Sequence, residues 1–328
     1  MQAVQLRHPG GPEVLEVVDL PLPEPAAGEV RVRALAIGVG KPDALIRQGT
    51  YKWMPPLPAI PGNEMAGVVD AVGAGVTGVA PGQRVLVSSR ELPQRGGCYA
   101  QALCLPAGAV YALPASISPD DAVTLPNYQL AGALLYESGC VRPRSILLHG
   151  GAGGVATALQ QLASADGIEV ISVVSSPEKR DFALAAGAKQ VLVRGEQDLR
   201  AAVMALTQGR GVDMVLDHVA GPGFIANLDL LAPLGTLLSY NALGGLPQDV
   251  FAALRARLGR SLGVRCYSIH TLDADPAKRR ALMQRAIDLM AEGRLRPLPA
   301  AVFPLAQARE VHQLLDAGET LGKLVLRP

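Results

Sequence analysis

Cysteine is scarce in this chain. Cys98, Cys104, Cys140 and Cys266 are the only four, and no two form a CxxC pair. That spacing excludes a disulfide framework and the usual zinc-knuckle pattern, so reduced, buried thiols are expected. Neither sign of charge is in excess. Thirty Lys and Arg against 29 Asp and Glu give a net charge of +1, which excludes the electrostatic footprint of a nucleic-acid or anionic-membrane binder. No apolar run reaches the roughly 20 residues a membrane helix needs. MQAVQL at the start reads as a strand and not as a signal peptide, so a cytoplasmic protein is expected. Aromatics are only 4% with one tryptophan, Trp53, and there is no internal repeat.

What is present is enough apolar material for a large core. The chain has 328 residues, 49% hydrophobic and 18% charged, a length that calls for two domains and a composition typical of folded ones. Residues 1 to about 120 are short apolar runs divided by turn signals. GEVRVRALAIGVG (28–40), GNEMAGVVDAVG (62–73), QRVLVSS (83–89) and CYAQALCLP (98–106) read as strands of a small β-barrel.

From about 121 to 264 strands and helices alternate. Strands are expected at 145–150, 168–174, 190–193, 212–219, 236–240 and 262–268, and helices at 154–165, 176–188, 198–209, 223–235 and 248–259. Near-continuous apolar strands in this order predict a parallel, doubly wound sheet. Helices over 276–293 and 305–318 and a strand at 322–326 follow. The expected fold class is therefore α/β, with one domain over 1–120 and 265–328 and the other over 121–264.

The strongest chemical signal is a glycine turn. After the strand SILLH come Gly151, Ala152, Gly153, Gly154, Val155 and Ala156, opening a helix. This fits G-x-G-x-x-G/A between a strand and a helix, the pattern that binds a dinucleotide. Gly151 would allow the tight turn, Gly153 the approach of a pyrophosphate, and the helix N-terminus would meet the phosphates.

The tip of the second strand selects the nucleotide. An NAD site expects an acid there for the ribose 2′-hydroxyl. This chain has Ser175, Ser176, Lys179 and Arg180, with Arg194 at the third strand's tip. Hydroxyls and cations suit a 2′-phosphate, so NADPH is the expected cofactor. Ser176 also reads as a helix cap, and Lys179 and Arg180 as a solvated helix face.

In order along the chain, GGPEVLEV, PGNEMAGVVDAVG, GGCYAQ, HGGAGGVA, SSPEKRDFALAAGAKQVL and GKLVL resemble the quinone-oxidoreductase branch of the medium-chain dehydrogenases, which includes the zeta-crystallins. The resemblance runs essentially end to end. It implies a GroES-like β domain plus a Rossmann domain, bound NADPH and a homodimer. Zinc-dependent relatives hold their metal through a Cys in the first-domain loop, a His in a GHE motif and a third ligand. This chain has Gly40 and Gly62-Asn63-Glu64 there, so no metal is expected. The branch often carries Asn where Gly40 stands and Thr where Leu130 stands, and Asn127 and Tyr128 are candidate replacements for those polar groups.

Reduction of quinones or related activated carbonyls and alkenes needs no Lewis acid, because the acceptor is already electron-poor. Tyr51 matches a pocket tyrosine of the family and would donate to a substrate oxygen, or else packs as a loop tyrosine. Trp53 closes the pocket mouth or anchors the loop. Tyr240 and Asn241 end the fifth strand, where such sheets bind ligands. Lys323 matches the closing GK and would reach the cofactor, or else lies on the surface. His149 and His218 read as structural, and Asp43 and Arg47 as a structural pair in the loop. Two further activities fit the same residues: reduction of enoyl thioesters, and crystallin-like NADPH binding with little catalysis.

Overall fold

Alternating apolar residues and turn glycines shape the first strands in a computed structural model of the chain, which describes residues 1–318 and 320–328. A hairpin-like pair, β1 (Gln2–Gln5) and β2 (Glu16–Asp19), runs antiparallel. Then come β3 (Glu29–Val39), helix α1 (Lys41–Gln48), β4 (Glu64–Val72), β5 (Arg84–Ser88), β6 (Ala102–Pro106), β7 (Val110–Ala112) and the short α2 (Pro119–Ala122). β3 is the pivot. One edge pairs with β4 along its length, while the other pairs with β6 through Glu29–Arg33. Gly67 of β4 lies so close to β3 that a Cβ there would sit 2.3 Å from the Arg33 carbonyl oxygen. Only glycine allows that approach.

Helix α3 (Leu125–Tyr136) leads to β8 (Ser145–His149), α4 (Gly154–Ala165), β9 (Glu169–Val174), α5 (Arg180–Ala185), β10 (Gln190–Val193), α6 (Leu199–Leu206), β11 (Val212–Asp217), β12 (Leu231–Ser239), α7 (Val250–Arg255), β13 (Gly263–Cys266) and α8 (Pro276–Ala291). The six strands form one parallel sheet in the order β10-β9-β8-β11-β12-β13. This is the doubly wound arrangement, with the order reversing between β8 and β11. Leu147, Ile171, Val173, Val215, Phe224, Leu228 and Leu237 build its core.

The helix expected over 223–235 does not form. Short 3₁₀ turns cover Gly221–Gly223 and Ile225–Leu230, and β12 already starts at Leu231. Pro233 denies a helix its N–H and biases the residue before it toward extended backbone. Leu231 instead pairs with Val212, and the ladder resumes at Thr236 after an irregularity.

The chain ends with β14 (Ala301–Pro304), α9 (Ala308–Ala317) and β15 (Leu324–Arg327). β15 pairs with the second half of β3, at Ile37–Val39, and completes a seven-stranded sheet in the order β14-β15-β3-β4-β5-β7, with β6 joined to it off this path through β3. Two compact units result. One holds 1–126, 284–293 and 298–328, and the other 127–283 and 294–297. Residues 265–283, expected with the first domain, fall in the second unit, where Arg265 and Cys266 at their start pair with β12.

Candidate functional site

Every residue of β8 is buried, and the strand ends at His149 on a turn of glycines. The left-handed residue of that turn is Gly150, with φ +68°, and not Gly151. Gly151 is needed for a different reason. A Cβ there would lie 2.8 Å from the Ser172 Cβ, so the turn could not pack on β9. The Gly151 N–H donates to the Val173 carbonyl at 3.0 Å, and the Gly153 N–H to that of Gly150 at 2.9 Å.

Gly153 differs from both. Its φ of −82° suits any residue, and a Cβ would meet only the Gly150 carbonyl oxygen, at 3.4 Å. Neither backbone nor packing demands glycine at 153, and the space above it is open. Gly153 is also the N-cap of α4, with no side chain to cap it. The first α4 bond shown beyond the turn runs from the Thr157 N–H to the Gly153 carbonyl, at 2.9 Å. The N–H groups of Gly154, Val155 and Ala156 precede it at the open helix end, as an anion site requires. These residues fit a dinucleotide diphosphate.

One supporting residue escaped the sequence reading. Gln160 is fully buried on α4, and its amide donates to the Gly151 carbonyl at 2.6 Å and the Ser172 hydroxyl at 2.9 Å. It ties the turn to both the helix and β9. Its only signal is a glutamine on the buried face of an apolar helix.

At the tips of β9 and β10, Ser175 and Arg194 are exposed and Ser176 and Lys179 half-buried. The Arg194 N–H donates to the Val174 carbonyl at 2.9 Å, which brings that residue beside Ser175. Arg180 turns to Glu196, at 2.8 Å. Ser176 occupies the N-cap position but its side chain caps nothing. Its hydroxyl donates instead to Glu178, whose carboxyl is held below its ordinary value by that bond. Tyr240 follows β12, half-buried, and Asn241 is exposed, its side-chain carbonyl accepting the Ala242 N–H at 2.8 Å.

His149 is buried, and its Nε2 meets the Asn227 side-chain oxygen at 2.8 Å. Burial lowers its pKa. The Asn227 amide donates to Asp217 at 3.0 Å, and Asp217 also accepts the Val219 and Ala220 N–H groups. This satisfied buried chain accounts for His149 as a structural residue.

Tyr128 is 2% exposed, and its hydroxyl donates to Gln161 at 2.8 Å, so it is packed inside its unit. Asn127 and Leu130, on the same helix, are half-buried. Tyr51 and Trp53 lie together in the first unit, ring centroids 5.7 Å apart, with the Lys52 ammonium 5.4 Å from the indole. Tyr51 also packs on Leu6, Val14, Ile46 and Ala59.

Lys323 is neither on the surface nor open to a phosphate. It is 4% exposed, and its ammonium pairs with Glu64. Arg47 does not pair with Asp43 but with Asp316 of α9, at 2.6 Å. Asp43 accepts from the Asn63 amide at 2.6 Å and the Gly40 N–H at 2.8 Å. The Ser89 hydroxyl in turn donates to Asn63. Burial, with the Glu64 charge adding to it, pushes the Asp43 carboxyl up to about 7. Among the described residues no group of three or more His, Cys, Asp or Glu side chains is placed to hold a metal ion.

A doubly wound sheet with an open glycine turn at its switch point, joined to a separate β unit, defines a dinucleotide-dependent oxidoreductase of the dehydrogenase class. The known proteins narrow this. Residues 26–115 match the alcohol dehydrogenase GroES-like domain, and residues 186–326 match the zinc-binding dehydrogenase family. A quinone oxidoreductase of Pseudomonas aeruginosa is 33% identical over 99% of both chains. Among solved structures, Escherichia coli quinone oxidoreductase complexed with NADPH superposes with a TM-score of 0.89 at 30% identity over 100% of both chains. A mycobacterial protein complexed with NADPH does so at 0.89 and 33%, also over 100% of both. The chain belongs to the zinc-independent quinone oxidoreductase branch of the medium-chain dehydrogenase superfamily.

Proposed function

We propose that this oxidoreductase reduces quinones or closely related activated acceptors with NADPH and without a metal. The observation that carries the reading is the pair of sites in the second unit: an open, uncapped glycine turn, and a strand tip offering Ser175, Ser176, Lys179 and Arg194 with no acid in the position an NAD ribose needs. NADPH-complexed relatives of 30% and 33% identity support it. When bound, the cofactor supplies the hydride that an electron-poor acceptor takes up.

The chain's own residues bind and orient. Gly151, Ala152 and Gly153 form the turn that lets the diphosphate approach, and the free backbone N–H groups that follow, those of Gly154 and Val155 among them, receive it. Ser175, Ser176, Lys179 and Arg194 receive the 2′-phosphate, for which Ser176 exchanges its bond to Glu178. Tyr240 and Asn241 border the nicotinamide side. Tyr51 donates a hydrogen bond to the acceptor oxygen, and Trp53 and Asn127 help shape the acceptor site. A donor aimed at that oxygen stabilises the charge that develops there.

A cytoplasmic homodimer completes the reading. Among the described residues no helix is long and apolar enough to cross a membrane, and all four cysteines are free thiols. β13 is an edge strand, and in the segment between β12 and β13 Phe251 is 76% and Leu246 84% exposed. An open sheet edge and exposed apolar side chains in the same unit favour association with a second copy. The test follows oxidation of NADPH and NADH with a small ortho-quinone, a para-quinone and a simple enone. NADPH-selective quinone turnover is expected. No turnover with any of the three acceptors would overturn the assignment.

A further inference from the structure

Where β8 and β11 adjoin, a side chain outside the reading above lies against the glycine turn. A Cβ built on Gly150 would fall 2.4 Å from Cε1 and 3.1 Å from Nε2 of His218. The imidazole therefore occupies the space over the turn's first residue. Its other side meets Tyr240, ring centroids 5.5 Å apart, with the phenol oxygen 3.3 Å from Nδ1. Burial raises the Tyr240 pKa, so the phenol stays protonated and can donate to Nδ1. The one proton of the neutral ring is then on Nε2. His218 is half-buried, and its Nε2 makes no hydrogen bond among the described residues.

A donor at the switch point of the sheet, beside an uncapped helix N-terminus and without a partner, has one evident use. We propose that His218 is a cofactor ligand, its Nε2–H donating to the diphosphate held at the glycine turn, with Tyr240 as the residue that positions it. This rests on the glycine turn being the dinucleotide site.

The electrostatics make the contact measurable. Burial holds the His218 pKa below its ordinary value. Asp217 opposes that, and His149 and Arg194 add to it. With Tyr240, these are the groups facing the ring from β8, β10, β11 and β12. An anionic diphosphate favours the charged ring, so cofactor binding raises the pKa and draws in a proton. Affinity is then highest at low pH and falls as pH rises through the bound-state pKa.

The experiment measures NADPH Kd from pH 5.5 to 8 for the wild type and H218Q, which keeps a neutral donor but does not titrate. The cofactor's own 2′-phosphate titrates in both and cancels in the comparison. The wild type should gain several-fold more affinity than H218Q between pH 8 and 5.5, tenfold being the limit that a pKa rise of about one unit sets well below the free-state pKa. Identical pH profiles would overturn the proposal. In the wild type, NMR of the imidazole nitrogens should show the His218 titration moving up in pH when NADPH is added, and an unmoved titration would equally overturn it. Gly153→Val separates the two levels of inference. If it abolishes NADPH binding while H218Q changes nothing, the His218 contact alone is wrong. If it binds NADPH normally, the turn is not the site and both readings fall.

Discussion

Two groups of polar residues, one in each unit, are treated in opposite ways. In the first, charge is buried and paired: Lys323 with Glu64, Arg47 with Asp316, Asp43 with Asn63. In the second, cations and hydroxyls gather at strand tips, exposed or half-buried, around a turn with open space above it. The same residue types therefore carry different roles. A charge enclosed with its partner holds a fold together, and a charge at the mouth of a sheet lies where a ligand can reach it.

The sharpest way to break this contrast is to remove one buried partner. Lys323→Met should cost about 3–5 kcal/mol in urea unfolding, because Glu64 is left buried and unpaired beside Asp43. Lys179→Ala in the other unit should cost within about 0.5 kcal/mol. Equal losses would erase the distinction.

Titration provides the next largest effect, confined to the first unit. The Asp43 carboxyl is raised to about 7. The folded state thus keeps a proton that the unfolded chain has released, and stability falls as pH rises from about 4 to about 7. His312 is lowered to about 4, mainly by burial. Here the unfolded chain takes the proton, and stability falls as pH drops from about 6.5 to about 4. Asp43→Asn should therefore gain on the wild type across the rising window, and His312→Gln across the falling one. Each gain should be up to about 1.4 kcal/mol per pH unit. Parallel stability curves for wild type and variants would reject these assignments.

In the second unit the effects should appear in binding. Gly153→Val should weaken NADPH about a hundredfold, or about 2.7 kcal/mol, with little change in melting temperature. Gly151→Ala should instead destabilise the fold by about 1–3 kcal/mol through its clash with Ser172. The smallest effect is on selectivity. Lys179→Ala with Arg194→Ala should weaken NADPH about tenfold and leave NADH nearly unchanged, with stability intact. Loss of both cofactors alike would remove the 2′-phosphate assignment.

Most of the fold was legible because its signals are local. Strand–helix alternation, buried apolar runs and the glycine turn each occupy a few consecutive residues. The lost helix over 223–235 shows the limit, since Pro233 and the pairing of Leu231 with Val212 outweighed a helical composition. The proposed site is drawn from short local segments, Gly151–Val155 and the strand tips at 175–179 and 194. What the sequence did not carry is contact with distant partners. Lys323 looked like a cofactor residue, but its partner is 259 positions away. Tyr128, a candidate pocket residue, has its partner in Gln161.

By itself the sequence determined the fold class, the dinucleotide turn, the preference for NADPH and the lack of zinc-ligand side chains at the family's positions, since each depends on residue type at short spacing. Only the tertiary structure decided which polar groups are enclosed and which stay open: Lys323 against Glu64, Gln160 beneath the turn, His218 above Gly150. Those choices depend on packing between segments far apart in the chain, and neither periodicity nor motif spacing records what a side chain will meet across a folded core.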